Sequence, residues 1–507
     1  MANNGISRRY FFYGSLLAGA VPVAGFGSKA SLKMLGYKSP NEKLNIASIG
    51  AGGKAASDIR GCSQTENIVA LCDVDDARAK PMFETFAKAP KYKDWRVMLD
   101  KEQNNIDAVI VTIPDHMHAA AATACMQRGK HVYVQKPLAH TIWENRQLAE
   151  TAAKYKVATQ MGNQGYSHES IRTAAEIVWS GEVGDVTEVH VSASPGTHPT
   201  GLQEAPAEKS VPGTLDWDLW LGDAAMRPYA AEYTPYNWRG FFDFGTGQIG
   251  NWGIHTMGPV NLALQLGAPV SVELVQDVGR SKLTFPERAV LKFNFPARGE
   301  MPPVTIFWHD SARPEDPEAY HLPGLENEML LPPSDNLGDK GRGRVAASRG
   351  NAPPRAARPA GAPRTGAGGP GVPVYGPGNT SPAKPGILTG NGAVFVGSKG
   401  IMATVARGEG VHLLPEARWK EYVLPPPLLT RSPGHMLDWV RACKGGDPSC
   451  SDFKVSAPFA EWMVLGVIAF RVPGRLDWDS KNLRFTNSAE ANRYVKPQFR
   501  KGWELKL

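Results

Sequence analysis

The feature that most constrains the fold is a series of short apolar runs between residues 44 and 164, separated by polar segments of helical length. The runs are LNIASIG, NIVALCDV, DAVIVTIP, HVYVQ and VATQM, and most are rich in β-branched residues. Continuous apolar runs, in contrast to alternating ones, indicate strands that are buried on both faces, as in a parallel sheet. Because crossovers between parallel strands are right-handed, the pattern predicts a doubly wound α/β domain.

The pattern changes after residue 165, where apolar and polar residues alternate in most strand candidates. The candidates are DVTEVHVSAS, VSVELVQDV, RAVLKFNFP, PPVTIFWHD, AVFVGSKG and IMATVA. Alternation is typical of strands with one solvated face, and short links favour antiparallel pairing. We therefore predict an α/β protein with a Rossmann domain at 44–165, whose parallel sheet is doubly wound. An α+β domain at 166–507, with a mainly antiparallel open sheet, would serve substrate binding and oligomerisation.

Residues 332–386 interrupt the second domain with a composition rich in Pro, Gly, Ala and Arg. The segment includes NAPPRAARPAGAPRTGAGGPGVPVYGPGN, which has almost no large apolar side chains. Such a segment cannot bury enough apolar surface to offset the entropy that is lost on ordering. We expect a disordered surface insertion.

Residues 1–43 have the pattern of an export signal and linker. SRRYFFY is followed by GSLLAGAVPVAGFGSKA, a modestly apolar stretch that is too short for a membrane span. The paired Arg8 and Arg9 with two following phenylalanines resemble a twin-arginine signal, whose machinery exports folded proteins. No later apolar run has the length of a membrane span. We expect a periplasmic or otherwise exported protein without a stable membrane anchor; the alternative is a basic N-terminus with no targeting role.

The formal net charge of +7 does not indicate nucleic-acid binding, because the positive charge lies in two segments. Residues 1–43 hold six basic residues and one acidic residue, and residues 334–386 hold eight and two. The rest of the chain is mildly acidic and shows no basic face interleaved with aromatic residues. The five cysteines form no metal-ligand pattern, so we expect no metal site. Cys443 and Cys450 bracket a short loop and could be bridged in an oxidising compartment or remain free.

The glycine-rich turn IGAGGKA follows the first predicted strand and opens a helix. Gly50, Gly52 and Gly53 allow a tight turn and close approach of the backbone to a pyrophosphate, and Ala55 takes the third glycine position of the dinucleotide-binding pattern. Asp73 ends the second predicted strand, where a carboxylate accepts from the adenosine ribose hydroxyls and repels a 2′-phosphate. The pattern favours NAD(H) over NADP(H); the alternative is an ordinary glycine-rich turn.

Two further segments follow predicted strands at the carboxyl edge of the sheet, where ligands of doubly wound folds bind. TIPDHMHA carries Pro114 and His118, which we predict to contact the cofactor. VYVQKPLAH carries Lys136, a cation at a rigid turn beside the cofactor crevice. A surface lysine beside a proline is common, so position alone does not decide its role.

The stretch GTGQIGNWGIHTMGPVN places Asn251 and His255 four residues apart, which on a helix brings both side chains to one face. Histidine is the usual general acid or base, but it normally works with a carboxylate, and here the partner position holds an amide. The arrangement is a catalytic pair, a weakened pair, or a buried structural histidine. Four tryptophans lie before and within this region and suit either sugar faces or a core: Trp217, Trp220, Trp238 and Trp252.

The order of these motifs resembles the Gfo/Idh/MocA oxidoreductases, the family of glucose–fructose oxidoreductase and inositol dehydrogenase. The resemblance covers residues 44 to about 505 and rests on IGAGGKA, ALCDVD, TIPDHMH, VYVQKPLAHTIWENRQLAETAAKYKVATQMGNQG and the stretch around His255. Later segments such as RSPGHMLDW and RFTNSAEANRYVKPQFRKGW resemble the exported bacterial branch of the family. The resemblance implies nicotinamide-dependent oxidation or reduction of a sugar-like polyol, in a protein that we expect to be a homo-oligomer.

The resemblance also implies roles for individual residues. The lysine of the family's Glu-Lys-Pro motif contacts cofactor and substrate hydroxyl; it corresponds to Lys136, with Gln135 in place of the glutamate. The family's Asp-x-x-x-His pair assists proton transfer and falls on Asn251 and His255. Asn251 is thus a departure, as is Gly258, where an acid often follows the histidine. We predict Lys136, His255 and Asn251 to be catalytic, with the asparagine amide orienting the imidazole ring.

Three functional hypotheses follow. The first is an exported oxidoreductase that holds NAD tightly and transfers a hydride between it and a sugar or cyclic polyol. The second is a glycoside-cleaving enzyme that uses NAD transiently, by oxidation, elimination and reduction. The third is a non-catalytic sugar- or nucleotide-binding relative, which the departures at Asn251 and Gly258 support. Net accumulation of NADH distinguishes the first hypothesis from the second.

Overall fold

The computed structural model describes residues 42–317, 319–331, 337, 340 and 383–505. The export signal at 1–43 lies almost entirely outside the described residues, as does most of the insertion at 332–386. Six residues of the insertion are described, at 337, 340 and 383–386. Leu337 is buried in the core, and Lys340 Nζ donates to the backbone oxygen of Tyr422 at 2.9 Å. Leu337 and Lys340 are therefore packed, while the disorder expected for the segment stays a prediction.

The first sheet has six strands, and every pair of neighbours is parallel. The strands are β1 Asn45–Ile49, β2 Asn67–Cys72, β3 Lys91–Tyr92, β4 Ala108–Val111, β5 His131–Val134 and β6 Thr159–Met161. Their spatial order is β3-β2-β1-β4-β5-β6. The winding direction reverses between β1 and β4, so the carboxyl ends of these strands flank the crevice in which doubly wound folds bind ligands. The predicted doubly wound sheet is confirmed.

Five helices connect the strands of the first sheet. They are α1 Lys54–Ser63, α2 Asp76–Thr85, α3 Trp95–Glu102, α4 His118–Gln127 and α5 Ile142–Tyr155. Several begin where a side chain satisfies the free N–H groups of the first turn. Asp75 caps α2 and Asp94 caps α3, while Thr141 and Glu144 form a reciprocal capping box at α5. Local sequence therefore fixes the helix starts on which the crevice depends.

The second sheet has nine strands. They are β7 Val186–Ala193, β8 Ser271–Val278, β9 Arg288–Phe295, β10 Val304–Asp310, β11 Gly392–Gly397, β12 Gly400–Val405, β13 Gly410–Leu414, β14 Gly474–Asp479 and β15 Arg484–Phe485. The spatial order is β13-β12-β11-β7-β10-β9-β8-β14-β15, and all pairs are antiparallel except β7 with β10. The prediction of a mainly antiparallel sheet is confirmed.

Seven α-helices lie in the described part of the chain after residue 165. They are α6 Glu169–Trp179, α7 Trp217–Leu221, α8 Ile254–Thr256, α9 Gly258–Ala263, α10 Glu416–Glu421, α11 His435–Cys443 and α12 Phe453–Arg471. A π-helical turn at Ile249–Gly253 immediately precedes α8. Short turns of this kind occur often at functional sites.

Helix α12 is long and apolar enough to cross a membrane by length and composition, at 19 residues and a mean hydropathy of 1.4. The sequence interpretation found no such run after the N-terminus, and α12 corrects it. Most of the helix is buried against the rest of the protein, with Phe453, Leu465 and Ala469 fully enclosed. Its apolar surface is therefore used as core.

Helix α11 belongs to the second half of the sequence but packs on the first sheet's domain. Met436, Trp439 and Cys443 share one core cluster with residues of β1, β2 and α1. Cys443 is a free, buried thiol and Cys450 is also free, so the bridge left open by the sequence is absent. The two sheets are thus joined by shared core as well as by chain connectivity.

Candidate active site

Two neighbouring cavities open at the carboxyl edge of the six-stranded sheet. The outer cavity, of about 520 Å³, lies against the glycine turn after β1 and is lined by Asp73 and Arg78. The inner cavity, of about 320 Å³, is lined by Lys136, Asn251 and His255. The cavities share six lining residues and are therefore continuous: Lys54, Thr112, Ile113, Tyr236, Trp238 and Arg239.

The structure brings most of the predicted site residues to these cavities. Those that line the outer cavity are Gly50, Gly52, Gly53, Asp73 and Pro114. The three predicted catalytic residues line the inner cavity together. Ala55 and His118 line neither cavity. Both residues are fully buried and support the fold.

The turn after β1 requires glycine at position 50. Gly50 has a φ of 94°, and a Cβ there would lie 2.1 Å from the backbone oxygen of Thr112. A Cβ on Gly52 would lie 2.9 Å from the backbone oxygen of Arg78. Helix α1 begins directly after the turn, so its free N–H groups and positive dipole end lie at the outer cavity. A tight turn at a helix N-terminus suits a pyrophosphate group.

Asp73 holds the glycine turn in place. Its Oδ2 accepts from the N–H groups of Ala51 and Gly52 at 2.8 and 3.0 Å, and its Oδ1 accepts from the Asp75 N–H at 3.0 Å. Burial raises the pKa of Asp73, and these backbone hydrogen bonds oppose the rise because they favour the carboxylate. Asp73 therefore shapes the turn as well as lining the cavity.

His118 was a predicted cofactor contact, and the structure gives it a supporting position. The ring is fully buried, and its two nitrogens lie 2.8 Å from the backbone oxygens of Pro137 and Ile113. Burial lowers the pKa of His118. The histidine thus links the loop after β4 to the turn that carries Lys136. Ala55 is also fully buried and packs α1 against the sheet, which is the task of the third glycine position.

Lys136 is bound to Asn251 through two hydrogen bonds. Its Nζ donates to the backbone oxygen of Asn251 at 2.5 Å and to the side-chain Oδ1 at 2.8 Å. Asn251 Nδ2 in turn donates to Gln248 Oε1 at 3.2 Å and to the Tyr236 hydroxyl at 3.4 Å. The amide of Asn251 is therefore fully engaged, with its oxygen directed to the lysine.

His255 is consequently not oriented by Asn251, and this corrects the sequence interpretation. Asn251 lies within the π-helical turn, whereas His255 lies in α8, so the spacing of a regular helix does not hold between them. His255 is 4% exposed, and its Nδ1 has no hydrogen-bond partner among the described residues. Trp252 packs edge-on against the ring, with the centroids 6.1 Å apart.

Both potential bases are in surroundings that favour their neutral forms. Burial lowers the pKa of Lys136 well below its usual range, and the charges of Arg239 and Arg407 lower it further, against the opposing effect of Asp115. Burial likewise lowers the pKa of His255, followed by the charges of Lys136 and Arg407. The inner cavity therefore holds two groups that can accept a proton.

Gln135 stands where the family has a glutamate, and its side-chain amide forms hydrogen bonds with two neighbouring residues. Its Nε2 donates to Asp58 Oδ2 at 2.8 Å and to the Tyr133 hydroxyl at 3.2 Å. Asp58 also forms an ion pair with Lys54. A glutamate at position 135 would place a second carboxylate against Asp58, which costs free energy in a buried site. The amide removes that repulsion.

Gly258, the second departure, is a packing residue. It is buried at the start of α9, and a Cβ there would lie 3.2 Å from the ring of Tyr166. It lines neither cavity. A side chain at this position would first contact the aromatic ring, which would have to move by a few tenths of an ångström to admit it. The lack of an acid at position 258 therefore removes no charge from the cavity walls.

The four tryptophans separate into two groups. Trp217 and Trp220 stack with centroids 4.8 Å apart in an aromatic core cluster, and of the two only Trp220 reaches the outer cavity. Trp238 lines both cavities and Trp252 lines the inner one. The guanidinium of Arg407 lies 5.2 Å from the Trp252 ring centroid. Only Trp238 and Trp252 are placed to contact an inner-cavity ligand.

The sequence interpretation missed several polar residues of the inner cavity, including Lys54, Tyr236, Arg239 and Arg407. The segment YNWRG combines aromatic and cationic residues and could have marked Tyr236 and Arg239. Arg407 lies in the turn between β12 and β13 and carries no local signal. Among the residues that the structure describes, no group of three or more His, Cys, Asp or Glu is arranged to hold a metal ion.

Comparison with known proteins gives the site its family context. Residues 44–163 match the sequence model of the Gfo/Idh/MocA oxidoreductase family's NAD-binding Rossmann fold. Residues 168–282 match that of the family's C-terminal alpha/beta domain. The chain has the same fold as the WlbA dehydrogenase from Chromobacterium violaceum, solved with NADH and UDP-GlcNAcA. The TM-score is 0.54 at 13% identity, over 87% of this chain and 98% of that one.

Two curated relatives match parts of the chain. Inositol 2-dehydrogenase of Pseudomonas fluorescens is 27% identical over 187 residues, which is 35% of this chain and 54% of that protein. A glycosyl hydrolase family 109 protein of Solibacter usitatus is 30% identical over 173 residues, which is 32% of this chain and 39% of that protein. The chain thus spans about half or less of these relatives' lengths. The two domain models of the Gfo/Idh/MocA oxidoreductase family are thus matched in order, over residues 44–163 and 168–282, in a chain whose first domain has the Rossmann fold.

Proposed function

We propose that this protein is an exported oxidoreductase that transfers a hydride between tightly bound NAD and a sugar or cyclic polyol. The observation that carries the proposal is the continuity of the two cavities, with the glycine turn in the outer one and Lys136 in the inner one. A dinucleotide bound along the turn and a small polyol beside Lys136 would meet at the shared walls. The similarity to inositol 2-dehydrogenase supports a polyol as substrate class.

The residues of the outer cavity fit NAD. Gly50 and Gly52 leave room for a pyrophosphate, since a Cβ at either position would meet backbone atoms. Asp73 supplies a carboxylate at the end of β2, where a ribose diol is bound and a 2′-phosphate is repelled. When bound, NAD supplies the hydride acceptor for oxidation, or the donor for reduction.

Lys136 is placed to take the proton of a substrate hydroxyl. A neutral lysine amine has two N–H donors and one lone pair, and Asn251 offers two oxygen acceptors. The lone pair then remains for the substrate. The lowered pKa of Lys136 makes this neutral form accessible. In oxidation, the O–H proton passes to Lys136 Nζ as the hydride leaves the carbinol carbon.

His255 offers a second proton acceptor in the same cavity. It is buried and neutral, and its Nδ1 is free of hydrogen bonds among the described residues. Because Nδ1 is enclosed by the protein, the ring nitrogen that would accept from a neighbouring substrate hydroxyl and orient it is Nε2. Because His255 is not coupled to Lys136 through Asn251, we assign the larger effect to the lysine.

A second candidate function is glycoside cleavage through transient oxidation. The similarity to a glycosyl hydrolase family 109 protein favours it. The cavity could serve that reaction, because elimination needs a second base for the proton on the carbon next to the oxidised one, and His255 is available beside Lys136. A non-catalytic binding protein is the third candidate, and the departure at Asn251 supports it.

The test is to purify the protein, denature a sample, and identify the nucleotide that is released. Native protein is then mixed with sugars, cyclic polyols and aryl glycosides while NADH absorbance is followed. NADH formation from free sugars or polyols supports the oxidoreductase. Release of the aryl group without net NADH supports glycoside cleavage. Release of no dinucleotide, with no reaction after NAD is added, would contradict both.

Export and assembly are parts of the same proposal. The paired Arg8 and Arg9 support passage through the twin-arginine machinery to the periplasm. That route carries folded proteins, so NAD could be bound in the cytoplasm before export and retained afterwards. Tight retention matters in a compartment without a ready supply of the cofactor. We also propose that the protein forms a homo-oligomer.

A further inference from the structure

The inner cavity is strongly cationic, although the folded part of the chain as a whole is mildly acidic. Its walls carry four basic side chains: Lys54, Lys136, Arg239 and Arg407. One acidic side chain, Asp115, lines it. Asp115 is 3% exposed, and its Oδ2 accepts from the N–H and the hydroxyl of Thr246 at 3.1 and 2.7 Å. This carboxylate is therefore committed to the framework.

The four basic side chains differ in how far a positive charge on each is already compensated or disfavoured. Lys54 is paired with Asp58. Arg239 forms no ion pair with the described residues; its guanidinium lies 4.1 Å from the Trp238 ring centroid and donates to the backbone oxygen of Tyr236 at 3.2 Å. Arg239 lines both cavities, so a bound cofactor would share it. Asp58 thus compensates the charge of Lys54, and a bound cofactor would compensate part of the charge of Arg239.

Lys136 and Arg407 line the inner cavity but not the outer one. Lys136 has neutral oxygen partners on Asn251, where an aspartate would have supplied a counter-charge. Arg407 has one carboxylate neighbour, Glu409, at 3.6 Å, and both of these side chains reach solvent. A guanidinium with a distant, solvated partner retains its capacity for a closer anion. The site therefore lacks a negative charge on its substrate side.

The position of Arg407 is fixed by the fold. It lies in the tight turn between β12 and β13, where Ala406 and Gly408 have φ values of 51° and 80°. A Cβ on Gly165 would lie 1.8 Å from the backbone oxygen of Arg407, so the turn packs directly on that glycine. The guanidinium lies over the ring of Trp252. A rigid turn and an aromatic surface thus hold this cation at the inner cavity.

We infer that the substrate is an acidic sugar, whose carboxylate binds Arg407 while its reacting hydroxyl lies at Lys136. The inference rests on the proposed function and specifies its substrate class. The planar guanidinium fork matches the two oxygens of a carboxylate. A cavity of about 320 Å³ lies at the small end of the range for ligand pockets, which suits a single sugar ring. The substrate carboxylate would supply Arg407 with a closer counter-charge than Glu409 does.

The inference can be tested with matched acids and amides. A panel of uronic and aldonic acids, including glucuronate and galacturonate, is compared with the corresponding primary amides, which keep the shape but lose the charge. Binding to the purified dinucleotide-loaded protein is measured by titration calorimetry, and turnover by NADH absorbance. We expect the best acid to bind about 10- to 100-fold more tightly than its amide. Sugar phosphates and sulfates form a third arm of the comparison. If any of these binds more tightly than every carboxylate, Arg407 recognises a different anion and the inference is wrong.

Variants locate the effect at Arg407. Arg407→Gln should remove the preference for acid over amide, because it weakens acid binding much more than amide binding. Glu409→Gln should keep or strengthen acid binding, because it releases Arg407 from its competing partner. The control is Arg475→Gln, since Arg475 also has a carboxylate neighbour two residues on, Asp477 at 2.8 Å, but lies on β14 away from both cavities. Dinucleotide content and melting temperature verify that each variant is folded.

The outcomes separate this inference from the proposed function. If no acid binds more tightly than its amide, or if Arg407→Gln weakens acid and amide equally, the acidic-sugar inference is wrong. Turnover of the neutral amides would then leave the oxidoreductase proposal intact. Tight acid binding without any hydride transfer would support the inference and contradict the oxidoreductase proposal. If no acid, amide, neutral sugar or cyclic polyol binds or reacts, both are wrong.

Discussion

The side chain of Lys136 donates both of its hydrogen bonds to a single partner residue, Asn251. Nζ lies 2.5 Å from the backbone oxygen and 2.8 Å from the Oδ1 of Asn251. Two neutral acceptors match the two N–H donors of an uncharged amine, whereas an ammonium would have a third donor to satisfy. The pair therefore favours lysine as a base. An aspartate at position 251 would favour the ammonium instead.

The first prediction is that Asn251→Asp shifts the pH–rate profile to higher pH. A carboxylate at hydrogen-bond distance stabilises the ammonium and raises the pKa of Lys136 from its lowered value. A base is active when deprotonated, so the rising limb of the rate should move in the alkaline direction. We expect the rate at pH 7 to fall by about tenfold or more and the rate at high pH to be retained or increased.

The measurement is single-turnover NADH absorbance across pH, because release steps could hide the chemical step. Asn251→Ser is a useful comparison, since it removes the Oδ1 acceptor without adding charge. It should change the rate but move the limb much less than Asn251→Asp does. A profile that stays in place in the aspartate variant would show that the titrating group is not Lys136.

The second prediction concerns the relative weight of the two bases. Lys136→Ala should lower hydride transfer by at least about 10²- to 10⁴-fold, which is the usual range for loss of a general base. His255→Ala should have a smaller effect, about tenfold, because His255 is not hydrogen-bonded to the lysine pair. Lys80→Ala is the control, since Lys80 is an exposed residue of α2 paired with Glu84. Parent-like rates for both site variants would remove these residues from the chemistry and favour a binding protein.

Much of the fold was predictable because its signals are local. Runs such as HVYVQ report burial on both faces directly, and the glycine turn with Asp73 forms within one βαβ unit. Position 50 must be glycine because a Cβ there would meet the backbone of Thr112. The glycine-turn pattern predicts this glycine without knowledge of that distant contact. For these elements, short-range sequence determines the structure. The prediction therefore includes the glycine turn, Asp73 and Pro114, which line the outer cavity.

The inner cavity was less predictable because it is assembled from distant segments. Arg407 lies in a hairpin turn whose position depends on Gly165 and on the second sheet. The partner of Asn251 could not be read from a spacing of four, because the π-helical turn separates it from His255. The sequence predicted that His118 contacts the cofactor, yet both of its ring nitrogens lie 2.8 Å from backbone oxygens. Where the position of a side chain is set by tertiary contacts, the sequence shows no periodic pattern that predicts it.

The third prediction tests export. Replacing Arg8 and Arg9 with lysine should retain the protein in the cytoplasm, because the twin-arginine machinery requires the arginine pair. The change keeps the charge of the N-terminus, so it separates recognition of the pair from a general effect of basic residues. Cell fractionation with immunoblotting measures the result. Lys29→Arg serves as the control, and periplasmic protein in the double-lysine variant would indicate another route or no signal of this kind.

The last prediction concerns cofactor choice at Asp73. Asp73→Ala should weaken binding of NAD(H) more than that of NADP(H), because the carboxylate attracts a ribose diol and repels a 2′-phosphate. Both affinities should fall to some degree, since Asp73 also accepts from the N–H groups of Ala51 and Gly52 and holds the turn. We expect a loss of about tenfold or more for NAD(H), measured by calorimetry on protein stripped of nucleotide. Asp76→Ala is the matched control, because Asp76 is an exposed residue of α2 paired with Lys93 and does not line the outer cavity. Equal losses for the two cofactors would show that Asp73 supports the turn without selecting the ribose.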